Sequence, residues 1–318
     1  MLPYRFPMRR VRPRLAPAVA ASVVGLSLAL SACSAKDGEP APGGEVSKVA
    51  DQVEVGPDRY VAMGDSYTAA PLRPIPDRAQ ACMRSKRNYP RLVATRLENT
   101  KLVDVSCSGA STISLTSKQG FDRSDVVRPP QMDALTRGTD LVTVSIGAND
   151  FRLFNSMIYE CLDIGKTDPD GAPCREFNNR GKRDRLEGTI EKIQPRVTAV
   201  IEEIQRRSPD ARVLLVGYPQ LLPDTGTCRY RMPLADEDYD YARQINQRLA
   251  EGIRDAGVRA GAEYVDLYTA SKGHDICSDE PWIAGIHGAQ RAMGLHPYPE
   301  EQQAVADLIL ELLEHEIN

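Results

Sequence analysis

The strongest constraint on the fold is a rhythm of short apolar runs, each stopped by a turn or polar residue and followed by a helical stretch. Residues 60–63 (YVAM), 102–105 (LVDV), 141–146 (LVTVSI), 213–216 (VLLV) and 264–267 (YVDL) read as strands. Hydrophobic runs with little polar alternation mark strands covered on both faces. Between them, residues 89–97 read as a helix. Ile190, Ile193, Val197, Val200, Ile201 and Ile204 recur at the 3.6-residue period, as do Tyr241, Ile245, Leu249 and Ile253. Val305, Leu308, Ile309 and Leu312 mark a last helix. Alternation of this kind predicts an α/β fold in three α/β/α layers, with a doubly wound parallel five-stranded sheet and right-handed crossovers. Two segments break the rhythm: 151–185, with two cysteines, and 221–236, with one. Both follow strands, so they are expected to overhang the C-terminal edge of the sheet, where such folds bind ligands.

The first 32 residues have a different character. They carry five arginines and no acid, then an apolar stretch over 16–29 that is of signal-peptide length and too short to span a membrane comfortably. The stretch ends in Leu30-Ser31-Ala32-Cys33, which looks like a bacterial lipobox. The expectation is a signal peptide over 1–32, then diacylglyceryl transfer to Cys33, with an uncleaved anchor or an ordinary secretory signal as alternatives. Residues 33–54 are rich in Gly, Pro, Ala, Glu and Lys without apolar periodicity, and read as a flexible tether. Residues 55–318 then form the folded domain. The formal net charge of -4 becomes -9 without the leader. An acidic mature chain is a poor nucleic-acid binder. The chain is therefore expected to be exported and lipid-anchored to the outer face of the cell membrane, or released. Its partners would be an ester substrate and the membrane, with neither nucleic acid nor a protein partner.

Seven cysteines fit that compartment. Assigning Cys33 to lipid leaves six, an even number that suggests three disulfides in an exported chain, with fifteen connectivities open. No pair has the C-x-x-C spacing of a zinc site, and neither metal nor cofactor is expected.

The chemistry-bearing residues fall at strand ends. Ser66, in GDSY, follows the first strand and opens a helix; there, backbone N–H groups point at an anion. Ser108-Gly109-Ala110 follows the second strand. Gly147-Ala148-Asn149-Asp150 follows the third, and Asn149 can donate from its amide. His296-Pro297 precedes the last helix. Strand ends converge, so these groups can surround one carbonyl with a nucleophile, a base and oxyanion donors.

With GDSY, CSGAS, GAND and LHP in that order, residues 58–314 resemble the SGNH or GDSL hydrolases, a flavodoxin-like fold. The stretches VTVSIGAND, VLLVGYP and GHDICSDEPW extend the resemblance to a branch of actinobacterial secreted esterases and lipases with three disulfides. The resemblance implies Ser66 as nucleophile and His296 as base and then acid. It implies an oxyanion hole from the Ser66 and Gly109 N–H groups and the Asn149 amide. It also implies the bridges Cys82–Cys107, Cys161–Cys174 and Cys228–Cys277. Many members place an aspartate three residues before the histidine; here that residue is Met293. The expectation is a Ser–His dyad in which the Met293 carbonyl orients His296. Tyr298 also departs from the pattern, since a smaller residue commonly follows H-P.

Other readings stand beside these. His287 is the second choice for the base, His274 beside Asp275 is structural or lines the site, and His315 is solvated. Asp65 and Asp150 hold loops. Trp282 packs near the site. The function expected is a serine esterase or lipase, with an inactive binding lipoprotein of the same fold, or an esterase of acetylated carbohydrate, as alternatives. Lipid acyl esters and acyl-thioesters stay open as substrates.

Overall fold

The computed structural model describes residues 56–72, 81–121 and 124–314. The leader, the lipobox, the tether up to residue 54 and His315 lie outside them. Five parallel strands form one sheet, ordered in space as Lys101–Asp104, Arg59–Gly64, Leu141–Ser145, Arg212–Val216 and Glu263–Val265. In chain order, β1 (Arg59–Gly64) leads into the single turn α1 (Ser66–Ala69). After α2 (Tyr89–Ala94) come β2 (Lys101–Asp104), α3 (Thr112–Thr116) and a small antiparallel hairpin, β3 (Gln119–Phe121) and β4 (Ser124–Arg128). β5 (Leu141–Ser145) opens into α4 (Leu153–Asn155), a π-helical turn (Ser156–Glu160), α5 (Cys161–Gly165) and α6 (Pro173–Asn178). Then follow α7 (Arg185–Arg207), β6 (Arg212–Val216), α8 (Asp238–Arg259), β7 (Glu263–Val265), α9 (Leu267–Ala270) and α10 (Pro299–Glu314).

This is the expected doubly wound fold. β1 pairs with β2 on one side and β5 on the other, Tyr60 opposite both Leu102 and Leu141. The chain order reverses direction across that strand, so the C-terminal end of β1 is the topological switch point, where a crevice opens. The central strands are buried on both faces: β5 is covered at all five positions and β1 at all but its first. On one face lie α7 and α8, whose periodic residues Ile190, Ile193, Val197 and Ile201 meet Ile245, Leu249 and Ile253. Fully burying one such side chain stabilises by about 1.5–3 kcal/mol, so this helix pair anchors the layer. On the other face α2 and α10 close over Tyr60, Ala62 and Val216 with Tyr89, Val93, Val305 and Ile309. Among the described residues no helix is long and apolar enough to cross a membrane.

Two of the expected boundaries shift for local reasons. β2 ends at Asp104, one residue early, because the Asp104 carboxylate turns back to accept from the Ser106 N–H and hydroxyl. β7 ends at Val265. The Asp266 carboxylate accepts the Thr269 N–H at 3.1 Å and starts α9, so residues 266 and 267 leave the sheet. The β3–β4 hairpin had no expectation in the sequence.

Candidate active site

The site is built on a turn that only glycine permits. Gly64 has φ +142°, and a Cβ there would meet Thr68 Oγ1 at 2.4 Å and the Ser145 carbonyl at 2.6 Å. Asp65 caps the turn that follows, accepting the Tyr67 N–H at 2.9 Å. This aims Ser66 into a pocket of about 300 Å³ that is also lined by Gly109, Asn149, Phe154, Tyr159 and His296. The segment after β5 does overhang this edge, contributing Phe154 and Tyr159.

The four blocks meet here. The Ser66 N–H is at the first helical position and the Gly109 N–H lies in a left-handed turn, φ +77°; among the described residues neither has a protein acceptor. The Asn149 amide donates one hydrogen to the Ala110 carbonyl at 2.9 Å. It also approaches Asp65 Oδ2 at 3.5 Å. Ser66 and His296 share the pocket without a direct hydrogen bond, a spacing that free enzymes often show before substrate binds.

The loops behind these groups are held at several points. Cys82–Cys107 pins the second block, and the Ser108 N–H donates to the Cys82 carbonyl at 3.0 Å. Gln119, from the hairpin, donates to the Ser108 carbonyl at 3.0 Å. Asp150 accepts from the Thr112 N–H and hydroxyl and pairs with Arg196 at 3.1 Å, so it joins the second and third blocks. Cys161–Cys174 closes the segment after β5, and Cys228–Cys277 ties the segment after β6 to the chain approaching His296. These are the three bridges expected.

The histidine differs from expectation in its orienting partner. His296 Nδ1 lies 2.7 Å from the carbonyl of Gly294, not that of Met293. Leu295 has φ +61°, which reverses the chain and presents the Gly294 oxygen to the ring. The Met293 oxygen is taken by the His296 backbone N–H at 3.3 Å. No aspartate touches the ring among the described residues, so Nδ1–H donates to a backbone oxygen and Nε2 is the basic nitrogen. Burial lowers the pKa of His296 from 6.5, and the Gly294 carbonyl works against that. Burial thus favours the neutral ring, the form a base needs.

A buried tyrosine pair connects these parts, and sequence reasoning missed it. The Tyr218 hydroxyl donates to Asp65 Oδ2 at 2.5 Å and accepts the Ala148 N–H at 3.2 Å. Its ring stands edge-on to Tyr67 at 5.3 Å, and the Tyr67 hydroxyl donates to the Leu295 carbonyl. One contact chain thus runs from the third block, under Ser66, to the histidine loop. The signal was present in VLLVGYP: a tyrosine directly after a strand's closing glycine sits at this sheet edge. Burial pushes the Asp65 carboxyl up to about 7, against the pull of Tyr218 and the Tyr67 N–H. Behind α1, Gln302 donates to the Tyr67 carbonyl at 3.0 Å and to Glu301 at 2.6 Å, while accepting the Tyr89 N–H at 2.7 Å.

The remaining candidates fall elsewhere. His274 stacks on Trp282, 4.4 Å between ring centroids, and its Nδ1 lies 2.9 Å from the Glu280 carbonyl; this is packing. Trp282 rests against the core under α10, not in the pocket. His287 faces a separate groove without Ser66. Tyr298 donates its N–H to the Trp282 carbonyl, and Arg291 lies over its ring. Among the described residues no three His, Cys, Asp or Glu side chains are grouped to hold a metal ion.

Comparison with known proteins gives the family and the fold. The model of the GDSL-like Lipase/Acylhydrolase family matches residues 62–304. Lipase 2 of Streptomyces coelicolor is 33% identical over 260 residues, covering 80% of this chain and 85% of its own. An esterase of Streptomyces scabiei is 31% identical over 265 residues, 74% of each chain. In fold, the crystal structure of phospholipase A1 from Streptomyces albidoflavus NA297 superposes with a TM-score of 0.66 at 24% identity, covering 81% of this chain and 99% of that one. By its match over most of the domain, the chain belongs to the GDSL-like lipase/acylhydrolase family and is a carboxylic ester hydrolase.

Proposed function

We propose that the chain hydrolyses acyl esters by a Ser66–His296 mechanism at the outer face of the cell envelope. The observation that carries this is the convergence of Ser66, Gly109, Asn149 and the buried imidazole of His296 on one pocket. His296 Nε2 takes the Ser66 proton as Oγ attacks the ester carbonyl carbon. The oxyanion is held by the Ser66 and Gly109 N–H groups and the Asn149 amide. Collapse returns the proton from Nε2 to the leaving alkoxide and leaves an acyl-serine. Water, deprotonated by the same nitrogen, then attacks the acyl carbon and releases the acid. Losing one oxyanion donor costs about 10²–10³ in rate in such sites. The Gly294 carbonyl takes the orienting role, so the mechanism needs no carboxylate beside the histidine.

Location follows from the leader and Cys33. A diacylglyceryl group at Cys33, with an acylated amine, supplies the two chains that stable anchoring needs. The tether would then hold the domain beside envelope esters. Ser66→Ala tests the chemistry: p-nitrophenyl acetate hydrolysis and fluorophosphonate labelling should both vanish while the fold persists by circular dichroism. Near-parental turnover in that variant would remove Ser66 from the mechanism.

A further inference from the structure

The turn that carries Ser66 cannot hold itself in place. α1 is four residues long, closed by the Ala69 N–H on the Asp65 carbonyl at 2.9 Å and the Ala70 N–H on the Ser66 carbonyl at 2.8 Å. A helix of one turn has no stability of its own in water. The Ser66 N–H is therefore aimed only as well as the chain on either side of it is held. After Ser66, the Gln302 amide holds the Tyr67 carbonyl. Before Ser66, the chain is held by Gln131.

Gln131 opens a 3₁₀ turn, Gln131–Ala134, and lies 67 residues from Gly64 in sequence. It is 4% exposed and does not line the pocket. Its Oε1 accepts the Gly64 N–H at 2.8 Å, and its Nε2 donates to the Gly64 carbonyl at 2.9 Å. One planar amide thus meets both backbone groups of one residue, as a neighbouring strand would. The same Gly64 oxygen accepts the Cys107 N–H at 3.0 Å, which ties the first block to the second. The base of the clamp is itself fixed: Met132 is fully buried, and its carbonyl accepts from Arg207 at 3.0 Å. Gly64 is the joint on which the serine turn would swing, because glycine leaves its own dihedrals free. A side-chain amide suits the task, since it offers a donor and an acceptor side by side. An ionised carboxylate only accepts, and Lys or Arg only donates.

We propose that Gln131 is a positioning residue for the oxyanion site: it locks the Gly64 backbone and through it sets the direction of the Ser66 N–H and Oγ. This rests on the Ser66–His296 reading and adds to it a residue outside the pocket. A misplacement of about 1 Å at a reacting group can cost on the order of 10²-fold in rate. An unlocked Gly64 should therefore be felt in kcat and not in KM.

Gln131→Met has the same length and no amide. Its kcat for p-nitrophenyl acetate should fall about tenfold or more, with KM within about twofold of the parent. Butylboronic acid adds to Ser66 Oγ as a tetrahedral adduct with an oxygen at the oxyanion site. Its Ki should rise by the same factor as kcat/KM falls, since both report transition-state binding. A residue needed only for the fold would lower the melting temperature and leave kcat and Ki of the folded protein unchanged. Gln131→Glu is the conservative variant. Protonated, its carboxyl offers the same donor and acceptor as the amide; ionised, it sets a charge against the Gly64 carbonyl. Its kcat relative to the parent should be near one at about pH 5.5 and fall about fivefold or more by about pH 9. Circular dichroism reports folding in each variant. A folded Gln131→Met with kcat within about twofold of the parent would overturn the assignment, and so would a Gln131→Glu ratio that does not change with pH. If Gln131→Met does not fold, the Gln131→Glu ratio decides. Acetate hydrolysis that survives in Ser66→Ala would instead overturn the Ser66–His296 reading, so the two failures are told apart.

Discussion

Glu301 gives a prediction of opposite sign to the usual one for an acid in a folded protein. It lies in the first turn of α10 and is 1% exposed. Its carboxylate region is reached by the Gln302 amide at 2.6 Å. Burial outweighs that hydrogen bond and moves its pKa from an ordinary 4.5 up to about 8. The native chain therefore holds a proton between these values that the unfolded chain has lost. Stability must fall as pH rises wherever the native state binds more protons, by about 1.4 kcal/mol per pH unit for one group. The full stabilisation exists below about 4.5 and is gone above about 8. Glu301→Gln keeps an acceptor for Gln302 and never ionises. Its extra buried N–H costs on the order of 1 kcal/mol at every pH. The gain of the variant over the parent should thus grow by about 4 kcal/mol between pH 5 and pH 8.5. Guanidinium unfolding with the disulfides intact measures it, followed by the fluorescence of Trp282, the only tryptophan. Asp65 also titrates in this window, but it is present in both proteins and cancels. Parallel stability curves for parent and variant, within about 1 kcal/mol, would refute the reasoning.

Tyr218→Phe removes the donor to Asp65 and the acceptor of the Ala148 N–H, each worth about 1–3 kcal/mol when left buried and unpaired. Stability should fall accordingly, kcat should fall more than KM changes, and the Asp65 carboxyl should titrate above about 7 by NMR; an unchanged Asp65 titration would contradict the contact chain. The acid limb of kcat/KM should fit a group below 6.5, because burial holds His296 down, and this limb should persist in a folded Asp65→Asn; its loss there would assign the limb to Asp65. Cys33→Ala should abolish incorporation of radioactive palmitate and release or retain the chain unprocessed, and labelling at the parental level would end the lipobox reading.

Most of the architecture was legible because it rests on local signals. Strands such as 141–146 are apolar runs closed by glycine, and α7 declares itself by Ile190, Ile193, Val197 and Ile201 at helical spacing. The four blocks could be read because each sits at a strand end, and the parallel topology brings strand ends together. What stayed hidden depends on contacts distant in sequence. Tyr218 and Asp65 are 153 residues apart, and Gln302 and Tyr67 are 235 apart. No local pattern announces such pairs. The β3–β4 hairpin is short and half-exposed, so it lacks the apolar alternation that marks a strand. The choice between Met293 and Gly294 turned on one dihedral angle: Leu295 at φ +61° is a backbone state that a leucine does not advertise.

The separation of the two halves of the site also sets when it can act. Tyr67 meets Leu295 across 228 residues, and α10 packs on α2 from the far end of the domain. Contacts of such sequence span close late, because the loop-closure entropy comes before the reward. On the proposed mechanism, a chain still being made, or still unfolded, therefore carries Ser66 without its base, and with oxyanion donors that point nowhere in common. Only when the last helix docks does Gln302 grip the Tyr67 carbonyl and the histidine loop settle beside Ser66. The order of the strands thus works as a timer: on the proposed mechanism, the enzyme stays silent until the start of α10 docks.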